Sequence, residues 1–207
     1  MQKALVEALG TFFVVLVIGL TAVAPGAGAM APLAIGAILM AMVYAGGPIS
    51  GAHYNPAVTL AVWLRGKCEA GDIPGYVIAQ FLGATLAAWL VGVWKPTAVI
   101  QTAPIEVWPV LLIELLFTFA LAYVILHVAT SNKTAGNAYF GLAIGFTVMA
   151  GAYAAGPVSG GAFNPAVAVG LTLMGLSAVG NLWIFLVAHL AGGALAALVF
   201  RLTNPDT

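Results

Sequence analysis

The sequence predicts an all-α membrane protein of six transmembrane helices and two re-entrant half helices, folded as an inverted repeat in a single domain over residues 1–207. Three observations predict it. Hydrophobic residues make up 63% of the chain and charged residues only 6%, too few charges for an ordinary water-facing surface. Apolar runs of about 20 residues, the length needed to cross ~30 Å of hydrocarbon, recur with short connections. One stretch also occurs twice: Tyr44 to Val58 (YAGGPISGAHYNPAV) and Tyr153 to Val167 (YAAGPVSGGAFNPAV) agree at 10 of 15 positions, 109 residues apart.

Lys3 opens an apolar run to about Ala24 that contains Glu7 and Gly10-Thr11. It reads as the first span, because no small-residue cleavage pattern marks a removed signal. Pro25 to Gly28 form a turn, and the second span runs from about Pro32 to Gly47, where Gly46-Gly47-Pro48 is expected to break it. Asn55-Pro56 is a helix start: the Asn side chain caps free backbone N–H groups and Pro suits the first turn. The helix it opens, Pro56 to Leu64, is too short to cross the bilayer and is expected to stop half way. The polar loop Arg65 to Asp72 leads into the third span, Ile73 to Trp94. Beyond the loop Lys95 to Glu106, the fourth span is Val107 to about Ala129, where Glu114 and Thr118-Phe119 echo Glu7 and Thr11-Phe12. Ser131 to Asn137 form a turn, the fifth span is Ala138 to Ala155, Asn164 opens a second half helix to about Leu173, and the sixth span is Leu182 to Leu202.

The repeats are therefore about 3–94 and 107–202, each with three spans and a half helix. An odd number of spans turns the second copy upside down relative to the first, so the half helices enter from opposite faces and meet. Gly83, Ala84, Ala87 and Ala88 match Gly192, Gly193 and Ala196 as small residues that let helices approach closely in lipid. Lys3, Arg65, Lys67, Lys133 and Arg201 fall on one side and only Lys95 on the other, which predicts cytoplasmic termini. Short termini and loops point to a prokaryotic plasma (inner) membrane. Zero net charge offers nothing to a nucleic acid, and the single Cys68 excludes an intrachain disulfide.

Non-helical backbone at membrane depth is tolerated only where it is buried or lines a water-filled path. Ser50 to Tyr54 and Ser159 to Phe163 are such stretches. The backbone of Gly51, Ala52, His53 and Tyr54, and of Gly160, Gly161, Ala162 and Phe163, is expected to line a narrow path with carbonyl acceptors. Asn55 and Asn164 then place two amide donors at its centre, beside the positive ends of both half helices. Such a centre favours a neutral solute and opposes cations and protons. No ionisable residues form an ion or proton relay, which argues against a pump. No nucleophile has a base or metal-ligand cluster at usable spacing, so no enzyme, cofactor or metal is expected.

Asn55-Pro56-Ala57 and Asn164-Pro165-Ala166, preceded by Ser50-Gly51-Ala52-His53 and Ser159-Gly160-Gly161-Ala162, resemble the paired signature of the aquaporin, or major intrinsic protein, family over nearly the whole chain. The resemblance implies a single channel domain that forms a homotetramer in membrane lipid, with one pore per subunit for water and small neutral solutes. It also implies that Glu7 and Glu114 accept hydrogen bonds from the re-entrant backbone, and that His53 lines the pore.

In most aquaporins an arginine of the outer constriction directly follows the second motif; here the residue is Val167. Spacing from the motifs assigns the rest of that filter to Ile35, Ala152 and Gly161, without the histidine and aromatic of water-selective relatives. Valine donates no hydrogen bond where arginine donates several. The filter is expected to be wide, apolar and uncharged, admitting ammonia, urea, hydrogen peroxide or glycerol beside water. Ala168, where glycerol-conducting relatives usually carry an acid, weakens the case for glycerol. Three alternatives stand beside this reading: a strictly water-selective channel, a poorly conducting structural or adhesive protein of the same fold, and a filter in which Lys95 or Gln101 reaches in to replace the missing donor.

Overall fold

The computed structural model describes residues 1–95 and 105–205. Eight α-helices follow one another among them: α1 (Gln2–Ala22), α2 (Ala31–Ser50), α3 (Pro56–Leu64), α4 (Ile73–Trp94), α5 (Val107–Thr130), α6 (Phe140–Ser159), α7 (Pro165–Leu173) and α8 (Leu182–Thr203). Six of them are long and apolar enough to cross a membrane. The nine-residue α3 and α7 rise only ~14 Å, about half of a bilayer core.

Burial runs opposite to that of a water-soluble bundle. Leu82 and Trp89 are each 63% exposed on the outer surface, whereas Glu7, Gln80, Glu114 and His189 are 0% exposed within. Only an apolar solvent tolerates that outer surface, so the interior polar groups are where chemistry is to be sought.

The packing repeats with the sequence. Helix α1 lies on α4 as α5 lies on α8, and α2 lies on α6 across the middle. Each half helix leans on the last span of the other repeat, α3 on α8 and α7 on α4. Glycine sets these distances: a Cβ on Gly83 would stand 2.3 Å from the Ala8 carbonyl oxygen, and one on Gly192 would stand 2.7 Å from that of Leu115. Gly83→Val is therefore expected to force α1 from α4 and destabilise the fold by about 1–3 kcal/mol. Thermal unfolding in detergent checks this against Gly92→Val on the same helix, where an added Cβ meets nothing within 4 Å.

Two boundaries differ from the sequence expectation. Helix α2 does not break at Gly46-Gly47-Pro48, nor does α6 stop at Ala155; both continue through an internal proline, Pro48 or Pro157, to Ser50 and Ser159. A proline in the last turns removes one hydrogen bond without ending the helix. The end comes where Gly51 (φ +86°) and Gly160 (φ +89°) turn left-handed, the conformation in which glycine closes helices. Ser50 and Ser159 are thus the last helical residues, and the non-helical stretches shorten to 51–54 and 160–163.

Lys3 pairs with Asp72 at 2.6 Å, Arg201 donates to the Leu64 carbonyl, and Asn204 meets His127 Nε2 at 3.1 Å. These contacts gather both chain ends and the 65–72 loop on one face of the bundle. Cys68 lies in that loop, where burial and then Asp72 push its thiol above the ordinary value, leaving little reactive thiolate.

Candidate functional site

The half helices meet end to end through their caps. Asn55 and Asn164 have extended backbones, and each side-chain Oδ1 accepts the N–H two residues on, from Ala57 and Ala166, both at 2.9 Å. Each amide nitrogen then crosses to the opposite repeat: Asn55 Nδ2 donates to the Phe163 carbonyl at 2.9 Å and Asn164 Nδ2 to the Tyr54 carbonyl at 2.8 Å. One N–H of each amide is engaged in this way and one remains. Both asparagines line a cavity of ≈ 380 Å³. Pro56 and Ala57, and Pro165 and Ala166, are the buried first residues of α3 and α7.

Ile35, Ala152, Gly161 and Val167, the positions that spacing assigns to a filter, all line that cavity, and among the described residues no Asp, Glu, Lys or Arg does. A second space of ≈ 780 Å³ opens on the face that carries the chain ends, beside Lys3, Lys67 and Asp72. Val43, Ala52, His53, Ile125 and Ile144 border both, so the two spaces lie next to each other there, in line as the two ends of one passage would. Of the re-entrant residues, Gly51, Ala52, His53, Tyr54, Gly160, Gly161 and Ala162 border these spaces. Phe163 does not: its carbonyl is bonded to Asn55, its ring packs 5.3 Å from that of Phe117, and it is 1% exposed. Its backbone is a brace rather than a wall.

At the meeting point, the Thr59 hydroxyl donates to the Asn55 carbonyl at 3.1 Å. His53 Nδ1 lies 3.2 Å from that hydroxyl oxygen. The ring edge is fixed by Tyr76, 5.1 Å away.

The re-entrant backbones take conformations that side chains rarely adopt, with φ of +52° at Ala52, +50° at Tyr54, +68° at Gly161 and +51° at Phe163. Two buried carboxylates hold them. Glu7 accepts from Ser50 Oγ (2.6 Å), His53 N (2.9 Å), Tyr54 N (2.6 Å) and Gln80 Nε2 (2.8 Å). Glu114 accepts from Ser159 Oγ (2.6 Å), Ala162 N (3.0 Å) and Phe163 N (2.8 Å), and lies 2.7 Å from His189 Nε2. Sequence reasoning missed Gln80 and His189 as partners. The available signal was two polar residues inside apolar spans at the repeat spacing of 109.

Lys95 does not enter the filter. Its ammonium donates to the carbonyls of Leu20, Val23 and Pro25 at 2.7, 2.6 and 2.7 Å, closing the C-terminal end of α1. Lys95→Ala is expected to lower stability by about 1 kcal/mol and to leave the ratio of solute to water permeability unchanged in reconstituted vesicles. Gln101 lies outside the described residues.

Comparison with known proteins places this arrangement. Residues 1–200 match the family model described as major intrinsic protein. The chain is 38% identical to aquaporin NIP1-1 of Zea mays, over 98% of this chain and 76% of that protein. It is 36% identical to glycerol uptake facilitator protein-like 6 of Lactiplantibacillus plantarum, over the full length of both. The fold superposes on the X-ray structure of the aquaglyceroporin from Plasmodium falciparum with a TM-score of 0.79 at 23% identity, covering 96% of this chain and 94% of that one.

Proposed function

The chain belongs to the major intrinsic protein family of membrane channels, and we propose that it passively conducts water and small uncharged solutes, among them ammonia, urea, hydrogen peroxide and glycerol. The observation that carries this reading is the passage itself, lined by both asparagines and by four apolar positions, Ile35, Ala152, Gly161 and Val167. At its centre, two helix N-termini and their spare N–H donors favour a solute oxygen and oppose a cation. Around the filter, no side chain among the described wall residues carries a fixed charge or a donor like that of arginine, so a solute larger than water meets neither a clamp nor an ionic barrier.

The same reading makes Asn55 and Asn164 the pore centre, the 51–54 and 160–162 backbones its walls, and Glu7 and Glu114 its braces. Both termini face the cytoplasm, since Lys3, Arg65, Lys67, Lys133 and Arg201 lie toward one side and Lys95 toward the other. A prokaryotic plasma membrane suits the short connections. The outward leucines and tryptophans face lipid and further copies in a homotetramer with one pore per subunit.

The test is reconstitution. Urea and glycerol uptake should rise in proportion to the gradient without saturating, and planar bilayers holding the same protein should pass no current under voltage. Saturating uptake or a voltage-driven current would overturn the reading.

A further inference from the structure

The two halves of the passage are braced alike but by different chemistry. In the first, Gln80 Nε2 donates both to Glu7 Oε2 at 2.8 Å and to Thr59 Oγ1 at 3.1 Å. The matching residue of the second repeat is His189, whose Nε2 lies 2.7 Å from Glu114 Oε2, with both side chains 0% exposed. The counterpart of Thr59 is Ala168, which has no hydroxyl to share, and His189 Nδ1 has no partner among the described residues. The imidazole therefore makes one polar engagement, and it is with the carboxylate that holds the second re-entrant loop.

That loop carries the filter. Glu114 takes the N–H groups of Ala162 and Phe163, and the Ser159 hydroxyl, itself bonded to Glu114, takes the N–H of Gly161 at 3.1 Å. Gly161 is a filter position, and the loop runs through Asn164 into Val167, a second one. With φ of +68° at Gly161 and +51° at Phe163, the segment has left-handed geometry that its surroundings must impose. The first re-entrant loop supplies none of the four filter positions. Weakening the brace of the second loop is therefore expected to act on the filter positions directly, whereas weakening Gln80's hold on the first reaches them only through the bonds of Asn55 and Asn164 across the repeats.

We infer that His189 is a positioning residue for selectivity. By donating to Glu114 it fixes the backbone of 160–163 and, through it, the spacing between Gly161, Val167 and the opposing Ile35 and Ala152. The inference rests on the channel reading above.

The experiment compares native protein with H189L, H189Q and Q80L in proteoliposomes, reading the ratio of urea to water permeability and the folded yield. H189L, which removes the donor, is expected to shift the ratio by about threefold or more. H189Q, which reproduces the amide of the first repeat, restores the native ratio. Q80L lowers both fluxes together and leaves the ratio within experimental scatter. If H189L fails to reach the membrane, H189N, whose amide is too short to reach Glu114, takes its place and the same ratio decides. An unchanged ratio in the donorless variant, or equal shifts in Q80L and H189L, overturns the inference while leaving the channel reading intact. A native protein that conducts neither urea nor water fails the channel reading itself, and this inference with it.

Discussion

Glu7→Ala should all but abolish folded protein. Four buried donors converge on that carboxylate, the Ser50 hydroxyl, the N–H groups of His53 and Tyr54, and the Gln80 amide. Alanine leaves all four without that acceptor. At about 1–3 kcal/mol for each orphaned buried group, the total reaches roughly 5 kcal/mol or more, a large share of the ~5–15 kcal/mol that holds a typical fold together. Glu7→Gln keeps one acceptor oxygen but turns an NH2 group toward donors, so its loss should fall between alanine and native. Size-exclusion yield and thermal unfolding of purified protein check the order native, Gln, Ala. Native-like yield of Glu7→Ala with lost conduction would mean that the carboxylate serves transport rather than structure.

Val167→Arg should close the passage to larger solutes while sparing more of the water flux. Val167 is 3% exposed and borders the cavity together with Ile35, Ala152 and Gly161. An arginine rooted there extends several bonds further and adds a planar fork of donors. Its length narrows an apolar constriction, and its charge raises the electrostatic barrier. Urea and glycerol permeability are expected to fall about tenfold, a barrier increase of ~1.4 kcal/mol. The measurement is isotopic uptake per unit of reconstituted protein. Uptake of both solutes unchanged by the substitution would show that Val167 does not set the constriction.

Local signals in the sequence located most of the helices. Asn-Pro marks the start of α3 and α7, and the ends at Leu64 and Leu173 follow from where the polar or glycine-containing connections begin. The bounds of α4, Ile73 and Trp94, are likewise framed by Asp72 and Lys95. Proline misled at α2 and α6, because Pro48 and Pro157 sit so near the helix end that the lost bond ends nothing, and a left-handed glycine three residues later makes the turn. The site was legible where chemistry is local, in the two asparagines 109 residues apart and in the two acids, which echo each other at a spacing two residues shorter. It was illegible where contacts cross the fold. Nothing near Phe163 in sequence announces that its carbonyl belongs to Asn55, 108 residues away, nor that His189 reaches Glu114 across 75. Lys95 shows the same limit: a lone cation beside a filter that lacks one invites a role there, yet three carbonyls of the α1 end hold it.

The most direct test is a stopped-flow light-scattering trace of native proteoliposomes shocked in turn with urea and glycerol. A wide neutral-solute passage predicts rapid shrinkage as water leaves, followed by rapid re-swelling as the solute enters, well above protein-free vesicles in both phases. Rapid shrinkage with re-swelling no faster than in empty vesicles would contradict it, because the filter would then be passing water alone.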